Sequence, residues 1–133
     1  MIGLDTNVLV RYITQDEPEQ SALATRLIET RCTVEQPGHV TLVVLCEMVW
    51  VLCGAYRYNK SQALQVLEAI LHAAEFVVER EEVAHQAVAG WRTGSADFAD
   101  YVIASVNHAA GCDRTFTFDR RLSAHKWARL LSE

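Results

Sequence analysis

Short apolar runs alternate along this chain with longer segments whose apolar residues recur at helical spacing. The short runs predict β-strands, at residues 1–5, 39–42, 75–79 and 114–119. The helical pattern covers residues 6–13, 16–31, 43–58, 59–74, 80–92 and 94–111. Strands separated by helices of about 10–15 residues are typical of a parallel sheet covered on both faces. The pattern therefore predicts the α/β class.

Polar residues indicate where several of these helices begin. Thr6 or Asn7 is suited to cap the first helix, and Asp16 to cap the second. Asn59 or Ser61 is suited to cap the fourth helix, which is clearly amphipathic.

The segment 43–58 is apolar nearly all round and contains a single acid, Glu47. This composition predicts a helix buried on most sides. Its aromatic residues, Trp50, Tyr56 and Tyr58, would form part of a binding surface or lie in the core, and we expect the core for Trp50. Because an unpaired buried carboxylate is costly, Glu47 is expected to have a neutralising partner. A divalent cation is one candidate, and Arg11 or Arg57 is the alternative.

Composition predicts one globular domain over residues 1–133, because half of the residues are hydrophobic and no linker or repeat divides them. No apolar run approaches the roughly 18–20 residues of a membrane span. The N-terminal residues resemble no signal peptide, so we expect a cytoplasmic protein. The cysteines contain no CxxC pair and are interpreted as small core residues; they are Cys32, Cys46, Cys53 and Cys112.

The formal net charge is −5, which argues against a broad basic face of the kind that binds nucleic acid. A polyanionic substrate would therefore need local Arg or Lys side chains, or a bridging metal ion.

Four acids are candidates for one site at the carboxyl edge of the predicted sheet, where sites of such folds form. Asp5 and Asp119 directly follow predicted strands, and Asp100 lies near a helix start. With Glu47 they make a set of oxygen donors suited to Mg²⁺ or Mn²⁺. Such a site activates water and neutralises charge on a phosphoryl group.

Each of these acids also has a structural interpretation. Asp5 would cap the helix that follows it, and Asp119 would be a turn residue after a strand. Asp97 matches the N-cap of a capping box, with Asp100 three residues later. Asp97 lies about one helical turn from Asp100, close enough to add charge or a water-mediated contact to a metal site. The residues alone leave these interpretations open.

Four stretches in order, LDTNVLV, VTLVVLCE, ADFADYVIA and TFTFD, together resemble the PIN domain over residues 1 to about 125. The resemblance is closest to the VapC-type toxin nucleases of bacterial toxin–antitoxin pairs. It implies a three-layer α/β/α sandwich around a mostly parallel sheet, and a Mg²⁺- or Mn²⁺-dependent endoribonuclease. It also implies a homodimer, an RNA substrate such as tRNA, and a small antitoxin protein as partner.

The family's catalytic and metal-binding acids correspond to Asp5, Glu47, Asp100 and Asp119. Asp97 matches an additional acid that many relatives carry just upstream, and would be a further metal ligand or a helix cap.

Other polar residues match positions around the family's acids. Thr6, Asn7 and Thr117 would orient ligands or the attacking water, and each is otherwise explained as a helix cap or a strand hydroxyl. Arg120 and Arg121, next to Asp119 in sequence, are candidate phosphate contacts, with solvated surface charge as the alternative.

Three other classes fit the pattern less well. A haloacid-dehalogenase-like phosphatase needs a D-x-D motif after the first strand, where this chain has Asp5-Thr6-Asn7. A signalling receiver needs an acidic pair there and a lysine after its last strand, where this chain has Arg120. An interaction module that binds metal only for stability is the alternative outside enzymes.

Overall fold

The computed structural model describes residues 1–132 and contains two compact units, Met1–Glu79 and a second that begins at Arg80.

The first unit contains three strands and four helices. In chain order they are β1 (Ile2–Gly3), α1 (Thr6–Thr14), α2 (Pro18–Arg31), β2 (Gly38–Val40), α3 (Leu42–Gly54), α4 (Lys60–His72) and β3 (Phe76–Val78). The strands lie in the order β1-β2-β3 and pair in parallel, with Ile2 opposite Gly38 and Val40 opposite Val78. Since parallel strands need crossovers, α1 and α3 both begin at the carboxyl edge of this sheet.

The core of the first unit consists of apolar residues from α1, α3 and α4. The completely buried large side chains include Leu9, Leu45, Met48, Leu52 and Leu67. Burial of one such side chain contributes about 1.5–3 kcal/mol. This packing holds α1 and α3, which carry the candidate acids of this unit.

The second unit contains three helices and two strands. They are α5 (Glu81–Thr93), α6 (Phe98–Ala109), β4 (Thr115–Thr117), α7 (Arg120–Ser123) and β5 (Ala128–Leu130). The two strands pair in parallel, with Thr115 opposite Ala128. Between α5 and α6, Trp91 packs on Phe98 with ring centroids 5.5 Å apart.

The structure confirms the α/β class with parallel strands. The sequence pattern did not predict β5, because residues 120–131 show neither alternation nor flanking turn residues. The single domain expected over residues 1–133 stays a prediction. Within residues 1–132, every helix is too short or too polar to cross a membrane.

The cap of α2 differs from the prediction. Glu17 rather than Asp16 caps this helix, and its carboxylate accepts hydrogen bonds from the backbone N–H groups of Glu19 (3.2 Å) and Gln20 (2.6 Å). The carboxylate of Asp16 instead accepts a hydrogen bond from the Tyr56 hydroxyl (2.6 Å), which lowers the pKa of Asp16. A tertiary contact 40 residues away in sequence has thus replaced the local cap.

For α1 and α4, the sequence predicts one of two residues as the N-cap. Asn59, one of the two predicted residues, caps α4 and forms a capping box with Gln62. The N-cap position of α1 is Asp5, so the prediction of Thr6 or Asn7 is wrong by one or two residues.

One face of α3 is exposed, which corrects the expectation of a helix buried on most sides. Val43 and Trp50 are 67% and 79% exposed, and Glu47 between them is exposed as well. Their spacing of four and three residues places them on one face. The prediction that Trp50 lies in the core is therefore wrong.

The four cysteines are free thiols, and the expected core position holds for Cys32 only. Cys46 and Cys53 are half-buried and Cys112 is exposed. Burial, followed by the charge of the neighbouring Glu47, raises the pKa of Cys46 to about 11.

We expect Gly94→Ala to lower the free energy of unfolding by about 1–3 kcal/mol, because it overpacks a filled site. A Cβ at Gly94 would lie 2.6 Å from Cζ of Tyr101. This ring is buried, and its hydroxyl accepts a hydrogen bond from the Ala96 N–H (3.1 Å), so it cannot move away freely.

Gly54→Ala is the matched control, since nothing lies within 4 Å of a Cβ added at the end of α3. This change should leave the stability unchanged or raise it by up to about 1 kcal/mol, because Ala favours helix. Urea unfolding followed by circular dichroism measures both variants, and equal losses would contradict the assigned collision.

Candidate functional site

Asp5 stands directly between β1 and α1, at the carboxyl edge of the first sheet. Its backbone is extended (φ −81°, ψ 159°) and its carbonyl accepts the N–H of Val8 (3.1 Å). Its side chain makes no capping hydrogen bond and is exposed. The alternative of a carboxylate used to cap the helix is therefore not what the structure shows.

Glu47 is held by a hydroxyl rather than by an arginine. The Thr6 Oγ1 donates a hydrogen bond to Glu47 Oε1 at 2.7 Å, and Thr6 itself is only 7% exposed. The guanidinium of Arg11 donates instead to Gln20 and Tyr56, both at 2.8 Å. The buried state expected for Glu47 is wrong, because the carboxylate lies on the exposed face of α3.

The two polar residues that follow Asp5 differ in their surroundings. Thr6 contacts a candidate acid directly, and its role in orienting a metal ligand stays a prediction. Asn7 is exposed and lines a cavity of about 240 Å³ together with Arg11 and Gln20. Its proposed role toward the ligands stays a prediction.

Glu79 is an acid at the same sheet edge that sequence reasoning passed over. It directly follows β3, and its carboxylate accepts the backbone N–H of Leu42 at 3.0 Å. It thereby caps the start of α3 together with Thr41, whose hydroxyl accepts the N–H of Val44 at 3.1 Å. The signal was present in the sequence, since Glu79 follows a strand as Asp5 and Asp119 do.

Asp97 and Asp100 begin α6, but they form only half of the predicted capping box. Asp97 occupies the N-cap position, yet its exposed side chain makes no capping hydrogen bond. Asp100 is half-buried in the first turn and accepts a hydrogen bond from the backbone of Asp97. The carboxylate of Asp100 thus makes the hydrogen bond at the start of α6, and the carboxylate of Asp97 makes no capping bond.

Asp119 is the N-cap of α7 and forms an ion pair with Arg121. Its carboxylate accepts the backbone N–H of Arg121 (2.8 Å) and the guanidinium Nη2 (3.2 Å). These hydrogen bonds lower the pKa of Asp119. The hydroxyl of Thr117 accepts the Asp119 N–H (2.9 Å), so Thr117 fixes the backbone that carries this acid.

Arg120 and Arg121 therefore differ, although they are neighbours. Arg121 is an exposed side chain that is paired with Asp119. Arg120 is exposed at the start of α7. Phosphate binding by either residue stays a prediction.

Three carboxylates in the second unit act on one another electrostatically. Burial raises the pKa of Asp100, and the negative charges of Asp97 and Asp119 raise it further. A hydrogen bond from the backbone of Asp97 and the positive charge of Arg121 act in the opposite direction. The negative charges of Asp119, Asp97 and Asp100 in turn raise the pKa of Arg121, so its guanidinium offsets part of their charge.

These acids provide the oxygen donors that Mg²⁺ and Mn²⁺ prefer. Within residues 1–132, no three Asp, Glu, His or Cys side chains are placed closely enough to ligate an ion together. The first unit brings Thr6 to Glu47, and the second gathers three carboxylates around Arg121. The donor chemistry within each unit fits a hard divalent cation, which in the second unit would compete with Arg121 for Asp119.

Comparisons with known proteins identify the family. No curated protein matches the chain. The family model of the PIN domain matches residues 2–128, a range that covers most of both units and every candidate acid. The chain therefore belongs to the PIN domain family.

Proposed function

We propose that this protein is a Mg²⁺- or Mn²⁺-dependent endoribonuclease and the VapC-type toxin of a toxin–antitoxin pair. PIN domains are generally nucleases, they usually use divalent metal ions, and membership of the family implies a nucleic-acid substrate. The finer assignment combines the sequence resemblance with the state of the acids.

Asp100 is the single observation that carries the proposal. A half-buried carboxylate next to two further carboxylates is electrostatically unfavourable, as the raised pKa of Asp100 shows. Such an arrangement is typical of functional sites, where an added positive charge reverses the penalty. A divalent cation bound at Asp100 would supply that charge.

The principal cation is assigned to Asp5 and Asp100, with Glu47 completing its ligand shell directly or through water. When bound, the ion would activate water and neutralise charge that develops on the phosphodiester. Asp97 is assigned as an additional, weaker ligand.

The chain's own side chains would do the positioning. Thr6 donates to one oxygen of Glu47, which fixes the carboxylate and leaves its other oxygen available. Asp119 has a lowered pKa, so it is ionised at neutral pH and suited to orient the attacking water by accepting its proton. Thr117 holds the backbone of Asp119 in place for this role.

The partners proposed are an RNA such as tRNA, a second copy of the chain and a small antitoxin protein. The exposed face of α3 supports a protein partner, because Val43 and Trp50 are large apolar side chains on the surface. Tyr56 and Tyr58, at the end of the same segment, are half-buried.

We expect Asp5→Asn and Asp100→Asn each to slow cleavage of a total tRNA pool at least about 100-fold in Mg²⁺ or Mn²⁺, because each removes a metal-ligand charge. EDTA should abolish cleavage by the wild type. Expression of the wild-type protein, but of neither variant, should arrest bacterial growth.

Asp97→Asn is the matched control, with the same change one helical turn from Asp100. It should retain a larger share of both Mn²⁺ affinity and cleavage. If Asp5→Asn and Asp100→Asn cleave as fast as the wild type, the nuclease assignment fails. Equal losses in the two α6 variants would instead make Asp97 a ligand of equal rank.

Without metal, Asp100→Asn should stabilise the protein at neutral pH. The pKa of Asp100 is raised in the folded state, so ionisation costs stability as the pH rises above its unfolded pKa of about 3.9. The gain should be absent at pH near 3.5 and reach a plateau at neutral pH. Solvent screening keeps it small, on the order of 1–3 °C in melting temperature.

Thermal unfolding of the wild type and Asp100→Asn in EDTA, at several pH values between 3.5 and 7.5, measures this gain. If the variant melts at a lower temperature than the wild type at pH 7, the hydrogen bond of Asp100 at the start of α6 stabilises the fold more than its buried charge destabilises it.

Replacing Arg121 should strengthen metal binding, because its guanidinium occupies Asp119 and repels a cation. We expect Arg121→Gln to raise the Mn²⁺ affinity about two- to fivefold, the range of one exposed ion pair. Isothermal titration with Mn²⁺ gives the affinity. Arg120→Gln removes the same charge one residue away, and an equal gain there would mean that the ion pair with Asp119 is not responsible.

A further inference from the structure

A cavity of about 560 Å³ lies within the second unit, between α5 and the segment that connects α7 to β5. Its volume falls within the range of about 300–1,000 Å³ that small-ligand sites occupy. The wall from α5 includes Gly90 and Gly94, and the opposite wall includes His125, Lys126 and Trp127.

The charge of the lining differs from that of the chain as a whole. The protein has a net charge of −5, yet no Asp or Glu of residues 1–132 lines the cavity, while Arg121 and Lys126 do. Arg121 is shared with Asp119, and Lys126 Nζ lies 4.9 Å from the centre of the Trp127 ring. This local excess of positive charge favours an anion.

The aromatic wall of the cavity is packed in a fixed arrangement. His125 contacts Tyr101 and Trp127 edge to face, with ring centroids 5.5 and 5.4 Å apart. Trp127 also stacks on His108 at 3.7 Å, and its backbone N–H donates to Nδ1 of His125 at 3.2 Å. A wall held by this many contacts loses little freedom when a ligand binds.

Polar groups and glycines complete the lining. Gln86, Thr93 and Ser95 contribute an amide and two hydroxyls, the groups that read the edges of unpaired bases. A Cβ at Gly90 would lie 2.9 Å from Cδ1 of Tyr101 and 3.2 Å from Nε2 of His125. The absence of a side chain there lets α5 approach the aromatic wall closely.

Arg121 connects this cavity to a candidate catalytic acid. The residue lines the cavity, and its guanidinium lies 3.2 Å from a carboxylate oxygen of Asp119. A phosphate held by Arg121 would therefore lie beside Asp119.

We propose that the cavity binds one nucleotide of the RNA substrate next to the cleaved phosphodiester, with its phosphate at Lys126 and Arg121 and its base against the aromatic wall. This assignment rests on the proposed nuclease function, since it names the place of one substrate unit. It makes the cavity a contributor to the choice of cleavage site.

The test is a titration of the ¹⁵N-labelled full chain with a ribonucleoside 5′-monophosphate, in EDTA and at low salt. The indole N–H signal of Trp127, assigned with Trp127→Phe, should shift saturably, and the signals of Trp50 and Trp91 should shift less. The corresponding nucleoside and inorganic phosphate should each bind more weakly than the nucleotide.

Lys126→Gln should weaken nucleotide binding at least about fivefold, because it removes a charge-assisted contact to phosphate. Lys60→Gln is the matched control, since it removes the same charge in the first unit and should leave the affinity unchanged. Lys126 is exposed, so the variant is expected to fold.

Three results would overturn the proposal: no shift at Trp127, equal binding of inorganic phosphate, or equal losses in the two lysine variants. Binding is measured without metal or cleavage, so the outcome is separate from that of the nuclease test. Nucleotide binding by a chain that cleaves no RNA would refute the nuclease function alone. RNA cleavage by a chain that binds no nucleotide here would refute this assignment alone.

Discussion

The repulsion among Asp97, Asp100 and Asp119 is the constraint around which the second unit is arranged. Burial raises the pKa of Asp100, and the negative charges of Asp97 and Asp119 raise it further. Arg121 offsets part of this cost by pairing with Asp119. The guanidinium thus supplies positive charge beside these carboxylates, and a cation bound there under the proposed function would have to compete with it.

The two sets of candidate acids are held in different ways. In the first unit, Asp5 is placed by the backbone at the end of a strand, and Glu47 by a single hydroxyl from α1. In the second, the acids lie at helix starts, and one of them is tied to a guanidinium. A neutral hydrogen-bond donor leaves the negative charge of a carboxylate uncompensated, whereas the guanidinium in an ion pair offsets it. Glu47 should therefore attract a cation more strongly than Asp119 does.

Much of the fold could be predicted from the sequence, because apolar periodicity and capping residues are local signals. Asn59 illustrates this, since its cap depends on Gln62 only three residues away. The predictions failed where distant residues decide. The carboxylate of Asp16 accepts a hydrogen bond from Tyr56 instead of capping α2. Trp50 lies on the face of α3 that tertiary packing leaves exposed.

The candidate acids could be named from sequence because acids after strands and at helix starts follow a rule of the fold class. Their partners could not, since the hydrogen bond from Thr6 to Glu47 joins residues 41 positions apart. The cavity of the second unit gave no sequence signal at all, because its lining comes from α5, α6 and the stretch around Trp127. Only the packing of these elements places Lys126 and Gly90 on one cavity.

The hydrogen bond from Leu42 to Glu79 has a consequence for the order in which the protein folds. Glu79 is the last residue of the first unit, so the cap of α3 needs no residue of the second unit. Nascent chains generally fold unit by unit from the N-terminus. The unit that carries Asp5 and Glu47 can therefore fold before the unit that carries Asp97, Asp100 and Asp119.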